Sequence, residues 1–303
     1  MRSVGIDLGG TALKAGVVSG SGEVIERRTI PVDARAGAAG LLDRMADLAR
    51  DLGAEGAVGL GSPGLFDRER GVVLQAPNLG FLEGISLRDE LARRLGLPQR
   101  AVLLENDANV AALGEHWLGA GRGEDDLLLV TLGTGVGGGL LLAGELYSGS
   151  GGMAGEIGHV VVDPSGPVCG CGSRGCLETL ASATAAQRRA ASLGLDADLV
   201  RLAERARKAP GPERELLEAI GTDLGRGLAV ALTMLDVRLF VIGGGFGAAL
   251  DVLEPGLRTG LAERSYGGRA PEVRIVSAAL GADAGWIGAA RLALSFRLDE
   301  RSR

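Results

Sequence analysis

Two stretches lying half a chain apart share one pattern, and that pattern limits the folds open to this sequence. "IDLGGTALKAGVV" (Ile6 to Val18) and "VTLGTGVGGGLLL" (Val130 to Leu142) each run as apolar strand, glycine-rich turn, apolar strand. A strand–turn–strand unit that recurs at this distance points to two related lobes. Around both copies, strands alternate with amphipathic helices, which places the lobes in the α/β class. "RSVGIDLGG", "ALKAGVVS" and "EVIERRTI" read as a strand meander. Leu41, Leu42, Met45, Leu48 and Ala49 recur at helical spacing over 37–52. "GAVGLGSPG" reads as strand then turn. Ser86, with acids in the turn after it, predicts a helix over 86–97. "RAVLLEND" is a buried strand and "ANVAALGEHWLG" the helix after it. Further helices are predicted near 183–193, 197–208, 213–235 and 248–264, with strands in "VRLFVIGGG" and "EVRIVSA" and a last helix in "AGWIGAARLALSF".

Aromatic residues make up only 3% of the 303 residues, while glycines number 52, so the core must be aliphatic and many turns must be tight. A net charge of −6 argues against a nucleic-acid or anionic-membrane binder. No apolar run reaches the ~18 residues of a spanning helix. An odd cysteine count and the lack of an export signal favour the reducing cytoplasm.

Five stretches carry candidate chemistry. Successive amides in "DLGGT" (7–11) and "LGTGVGGG" (132–139) can form a concavity for phosphate, though each is also an ordinary hairpin turn. Asp7 ends the first strand, where a carboxylate suits Mg²⁺ or caps the turn. "LLENDAN" (103–109) delivers Glu105, Asn106 and Asp107 together at a helix start. One of them is needed as a cap, and Asp107 suits a base for an attacking hydroxyl. "FVIGGGFG" (240–247) could cover the base and ribose of a nucleotide or be a plain strand-to-helix turn. The three cysteines and one of the two histidines fall within "EIGHVVVDPSGPVCGCGSRGCLET". His159, Cys169, Cys171 and Cys176 offer a Cys₃His set, which closes the tetrahedron of a structural Zn²⁺. A loop locked by metal would hold the neighbouring Glu156 and Glu178 rigidly, as reading sugar hydroxyls requires. His116, mid-helix beside Trp117, reads as packing.

Taken together, "DLGGT", "GSPG", "APNL", "ENDAN", "TLGTGVGGG", "GEIGH", "CGCGSRGCLE", "GGG" and "GADAGWIGAA" resemble, in order and over residues 4 to about 294, the ROK family of repressors and sugar kinases. The resemblance implies a two-lobed, actin-like, hexokinase-type ATPase fold with duplicated RNase H-like lobes around a cleft. The small lobe would span 1–112, with a C-terminal helix at about 291–303 packing back on it. The large lobe, with the zinc loop, would span 113–290. The implied activity is ATP-dependent phosphorylation of glucose at its 6-hydroxyl, with fructose, mannose, N-acetylglucosamine or N-acetylmannosamine as other substrates and a non-catalytic sugar sensor as the alternative. Asp107 would be the base. Asn78, Asn106, Asp107, Glu156, His159 and Glu178 would hold the sugar, His159 facing zinc with one ring nitrogen and sugar with the other. Phosphates would rest on Gly9, Gly10, Thr11, Thr134, Gly135, Gly137 and Gly138, with Asp7 near Mg²⁺ and Gly244 and Gly245 flanking the adenosine. A homodimer or homotetramer is implied as well. The sequence departs from the family where many members carry Lys after "GGT". Ala12 stands there, and Lys14 follows two residues on. The repressors' helix-turn-helix has no room ahead of Asp7.

Overall fold

The structure, a computed structural model, describes residues 1–76 and 79–302. Its contacts divide into two compact units: Met1–Glu124 with Leu146–Ala154 and Ala282–Arg303, and Asp125–Glu145 with Gly155–Gly281. Residue 112 falls inside a helix that packs wholly within the first unit, so the division runs at Glu124.

In the first unit the chain forms β1 (Arg2–Leu8), β2 (Ala12–Ser19), β3 (Val24–Pro31), α1 (Gly37–Asp51), β4 (Val58–Ser62), the hairpin β5 (Leu65–Asp67) and β6 (Val72–Gln75), α2 (Leu87–Leu95), β7 (Val102–Asn106) and α3 (Asp107–Leu118). In the second follow β8 (Leu127–Leu132), β9 (Val136–Leu142), the short β10 (Glu145–Leu146), α4 (Leu177–Ala181), α5 (Ala183–Ser192), α6 (Leu199–Lys208), α7 (Pro212–Leu235), β11 (Leu239–Gly243), α8 (Leu250–Arg264) and β12 (Arg274–Ser277). α9 (Ala284–Ser302) returns to the first unit. The sheets run β3-β2-β1-β4-β7 and β10-β9-β8-β11-β12. Each is an antiparallel meander extended by parallel strands on the far side, so the predicted duplication is realised as two RNase H-like sheets. Parallel β1–β4 and β4–β7 pairs need helical crossovers. The amphipathic α1, burying Leu41, Leu42, Met45 and Leu48, supplies the first. Ser86 caps the second, α2, by accepting from the Asp89 N–H at 3.3 Å.

Both cores are aliphatic, as the composition requires. Ile6, Leu8, Leu13, Met45, Leu60 and Leu87 centre the first; Leu217, Leu224, Leu253 and Leu257 with Phe240 centre the second. Scarce large side chains are offset by close backbone approach. A Cβ at Gly5 would overlap the carbonyl oxygen of Trp286, one at Gly59 that of Ala289, and one at Gly288 that of Val110. α9 thereby lies directly on β1, β4 and α3, and its first turn is pinned beside the end of β1. In the second unit, α7 and α8 meet through Gly221, Gly225, Gly256 and Gly260, each against a carbonyl of the facing helix. Among the described residues, no helix is long and apolar enough to cross a membrane.

Candidate functional site

Asp7 occupies the end of β1, facing Lys14 across the β1–β2 pair and Gly61 across the parallel β1–β4 pair. Gly285, in the first turn of α9, crowds its carboxylate so closely that a Cβ there would collide with it. Burial, then the charge of Asp107, push the Asp7 carboxyl up to about 7, against the opposing pull of Lys14. The turn that follows is tight: the Gly9 N–H donates to the Ala12 carbonyl at 2.9 Å, leaving Gly10 and Thr11 exposed at its tip.

The end of β7 divides its polar residues between structure and chemistry. Asn106 is the N-cap of α3, its Oδ1 accepting from the N–H groups of Ala108 at 2.8 Å and Asn109 at 3.3 Å. Its Nδ2 is left unused among the described residues. Glu105 lies beneath the turn, 8% exposed, paired with Arg68. Its Oε1 accepts from the Asn106 N–H at 2.8 Å and from Asn109 Nδ2 at 2.9 Å. Asp107 is the first helical residue, held by the Ala108 N–H at 2.9 Å and partly open to solvent. Burial raises its pKa, partly offset by the Ala108 and Asp107 amides. Among the described residues neither the Asp7 nor the Asp107 carboxylate has an arginine partner, and Asp107 stands at the N-terminus of α3.

The cysteine loop was predicted from spacing alone, and its geometry can be tested against a metal. The Cys171 and Cys176 sulfurs are 3.7 Å apart, and Cys169 Sγ lies 3.6 Å from His159 Nδ1. Zinc bonds of about 2.3 Å to sulfur and about 2.05 Å to nitrogen give tetrahedral edges of roughly 3.8 Å and roughly 3.6 Å. All four ligand atoms fall within 4.8 Å of one another. The residues therefore fit a four-coordinate, closed dication. Without a cation, burial first, then the neighbouring thiols, push Cys176 up to about 12, whereas the Ser173 N–H draws Cys171 down to about 6. Crowded thiols of this kind ionise together only around a cation. His159 turns Nδ1 to the sulfurs and leaves Nε2 4.0 Å from Glu156 Oε2.

Glu178 ties this loop to the second glycine turn. One carboxylate oxygen lies 3.7 Å from Cys169 Sγ, and the other accepts from the Val136 N–H at 3.3 Å. The space a side chain on Gly135 would fill is taken by that carboxylate. Gly135 is thus accounted for by Glu178 before any phosphate is considered. Gly137 and Gly138 lie inside β9, paired with Thr131 and Val130, so the turn itself is only 133–135.

Gly133, Thr134 and Gly245 share a pocket of about 340 Å³, walled mainly by Ala183, Leu199, Val200 and Phe246. Gly244, at φ 81°, lets β11 turn against the backbone of Leu132. Two glycine turns far apart in sequence thus converge on one apolar slot. Sequence reading missed its walls, because Leu199 and Val200 look like ordinary residues of an amphipathic helix. The one signal was that Val200 is a large apolar residue 69% exposed, which becomes visible only once folded. Asn78 lies outside the described residues.

The ROK family profile matches residues 3–295. A glucokinase of Thermotoga maritima is 36% identical over 96% of this chain and 97% of its own. An N-acetylmannosamine kinase of Escherichia coli is 35% identical over 98% of this chain and all of its own. A ROK glucokinase of Streptomyces griseus, solved with glucose and AMPPNP, superposes with a TM-score of 0.78 at 34% identity, covering 96% of this chain and 99% of that one. With the duplicated sheets and the metal-ready loop already in place, these matches show that the chain belongs to the ROK family.

Proposed function

We propose that this protein is an ATP:glucose 6-phosphotransferase. The observation that carries the reading is Asp107. It is a partly open carboxylate at the N-terminus of α3, with a raised pKa and, among the described residues, no cationic partner. Such a group accepts the proton of the 6-hydroxyl as its oxygen bonds to the γ-phosphorus and the bond to the ADP oxygen breaks. Sugar kinases among the relatives and the glucose- and AMPPNP-bound neighbour support both substrates.

Asn106 offers Nδ2 to a hydroxyl while its Oδ1 keeps the helix capped. Glu156, His159 Nε2 and Glu178 would read further hydroxyls from the loop, in which Cys169, Cys171, Cys176 and His159 Nδ1 would hold a structural Zn²⁺. Asp7 would supply an oxygen donor for Mg²⁺, which neutralises phosphate charge when bound, and Asp107 stays free to take the proton. Gly9, Gly10, Thr11 and Thr134 present backbone and hydroxyl donors to phosphates, and the slot beside Gly244 and Gly245 takes the adenosine. Three cysteines outside any disulfide suit the reducing cytoplasm. Assembly as a homodimer or homotetramer is carried over from the family resemblance.

A panel of hexoses in a coupled ADP-release assay tests the substrate. Glucose should give the highest kcat/KM. Turnover on N-acetylmannosamine with none on glucose would move the assignment to the reading the Escherichia coli relative suggests. Sugar bound in calorimetry with no turnover on any hexose would overturn the kinase reading itself.

A further inference from the structure

A second pocket, of about 270 Å³, lies behind the Asn106–Asp107 turn, wholly within the first unit. Four consecutive residues of the edge strand β7, Val102 to Glu105, line it. Side chains alternate along a strand, so four in a row mean that the open edge itself forms a wall. Phe66 and Leu292 add apolar surface, and Arg68, Arg88 and Arg100 add charge. Three arginines and one carboxylate thus line it, on a protein whose net charge is −6.

The arginines are not equivalent. Arg88 is occupied: its guanidinium donates to the carbonyls of Arg68 at 3.1 Å and Glu69 at 2.6 Å, and to Asp89 at 3.2 Å. Arg68 spends one amino group on Glu105, and Arg100 makes an exposed contact with Glu300 at 3.4 Å. Both therefore keep donors free among the described residues. Paired donors beside an apolar wall suit an anion carried on an apolar body, because guanidinium binds planar or tetrahedral oxyanions through two bonds while the body covers the wall.

We propose that this pocket is a second binding site, for a small organic anion bearing a phosphate or carboxylate on an apolar group. An anion on Arg68 competes with Glu105, and Glu105 is the residue that holds the Asn106 amide and Asn109 Nδ2. Occupation should therefore loosen the turn that carries Asp107 and lower turnover. This last step alone rests on the kinase reading.

Phenyl phosphate is the probe, with inorganic phosphate as the control that lacks an apolar body. Calorimetry on the full chain, saturated with glucose, Mg²⁺ and AMPPNP, reads the second site without requiring activity. Phenyl phosphate should still bind, at least tenfold tighter than inorganic phosphate, and both Arg68→Ala and Arg100→Ala should weaken it tenfold or more. Arg100→Ala changes only an exposed residue, so it stays informative if loss of Arg68 destabilises the fold around Glu105. No binding, or binding untouched by Arg100→Ala, would overturn the site. Binding that follows the arginines but leaves turnover unchanged would overturn the coupling and keep the site.

Discussion

Asp7 sits in a strongly perturbed environment, and this has a measurable cost. Its carboxyl titrates near 7 in the folded chain and near 3.8 when exposed. Between those values the folded state binds the extra proton, so stability falls as pH rises from about 4 to about 7 and is level above that. Asp7→Asn removes the penalty. We expect the ligand-free variant to be more stable than the parent at pH 8 by roughly 1–3 kcal/mol, a figure discounted from the full shift because the side chain is partly open. The two should converge near pH 4, and thermal melts across that range measure the difference. A variant less stable than the parent at pH 8 would mean that Lys14 outweighs burial. Asp107 was legible in the sequence as a polar residue at a strand end. What the sequence left open was which member of "END" caps the helix. That depended on the backbone: Asn106 adopts the extended φ/ψ of an N-cap, leaving Asp107 inside the helix with its carboxylate available.

At the scale of elements, the cysteine loop and the α7–α8 pair show what spacing can and cannot reveal. Four soft ligands close in sequence are readable because zinc demands that set, and the edges of 3.7 and 3.6 Å match it. Removing zinc with a chelator, or replacing Cys176 by Ser, should lower Tm and raise KM for the sugar roughly tenfold or more with a smaller change in kcat. Full activity of a verified metal-free sample would make the loop's metal dispensable. The seam between α7 and α8 was not legible as a contact. Gly221 and Gly225, like Gly256 and Gly260, sit four apart on one helix face, but nothing in the sequence says which helix each pair meets. Gly256→Ala, whose Cβ would overlap the carbonyl of Glu218, should destabilise the chain by roughly 1–3 kcal/mol in urea unfolding. The hairpin of β5 and β6 also escaped sequence reading, because strands of three and four residues are too short for a period to appear. Yet it carries Phe66 to the second pocket, with Arg68 just beyond.

For the whole molecule, the strand–turn–strand repeated half a chain apart reappears as two sheets of the same order. The duplication conveys architecture, whereas function depends on differences between the halves. The first glycine turn follows a carboxylate, Asp7. The second follows Leu132, opens on an apolar slot and receives Glu178. In the proposed kinase the apolar slot would take the nucleotide base, the cysteine loop would be braced by zinc, and Asp107 would take the hydroxyl proton. The most direct test compares wild type with Asp107→Asn, measuring glucose-dependent ADP release and, by calorimetry, glucose binding on the same preparations. The account predicts turnover in the wild type, a loss of about 10²–10⁴-fold in the variant, and glucose affinity within a few-fold of the parent. Near-normal turnover in Asp107→Asn, or no glucose-dependent ADP release from the wild type, would contradict it.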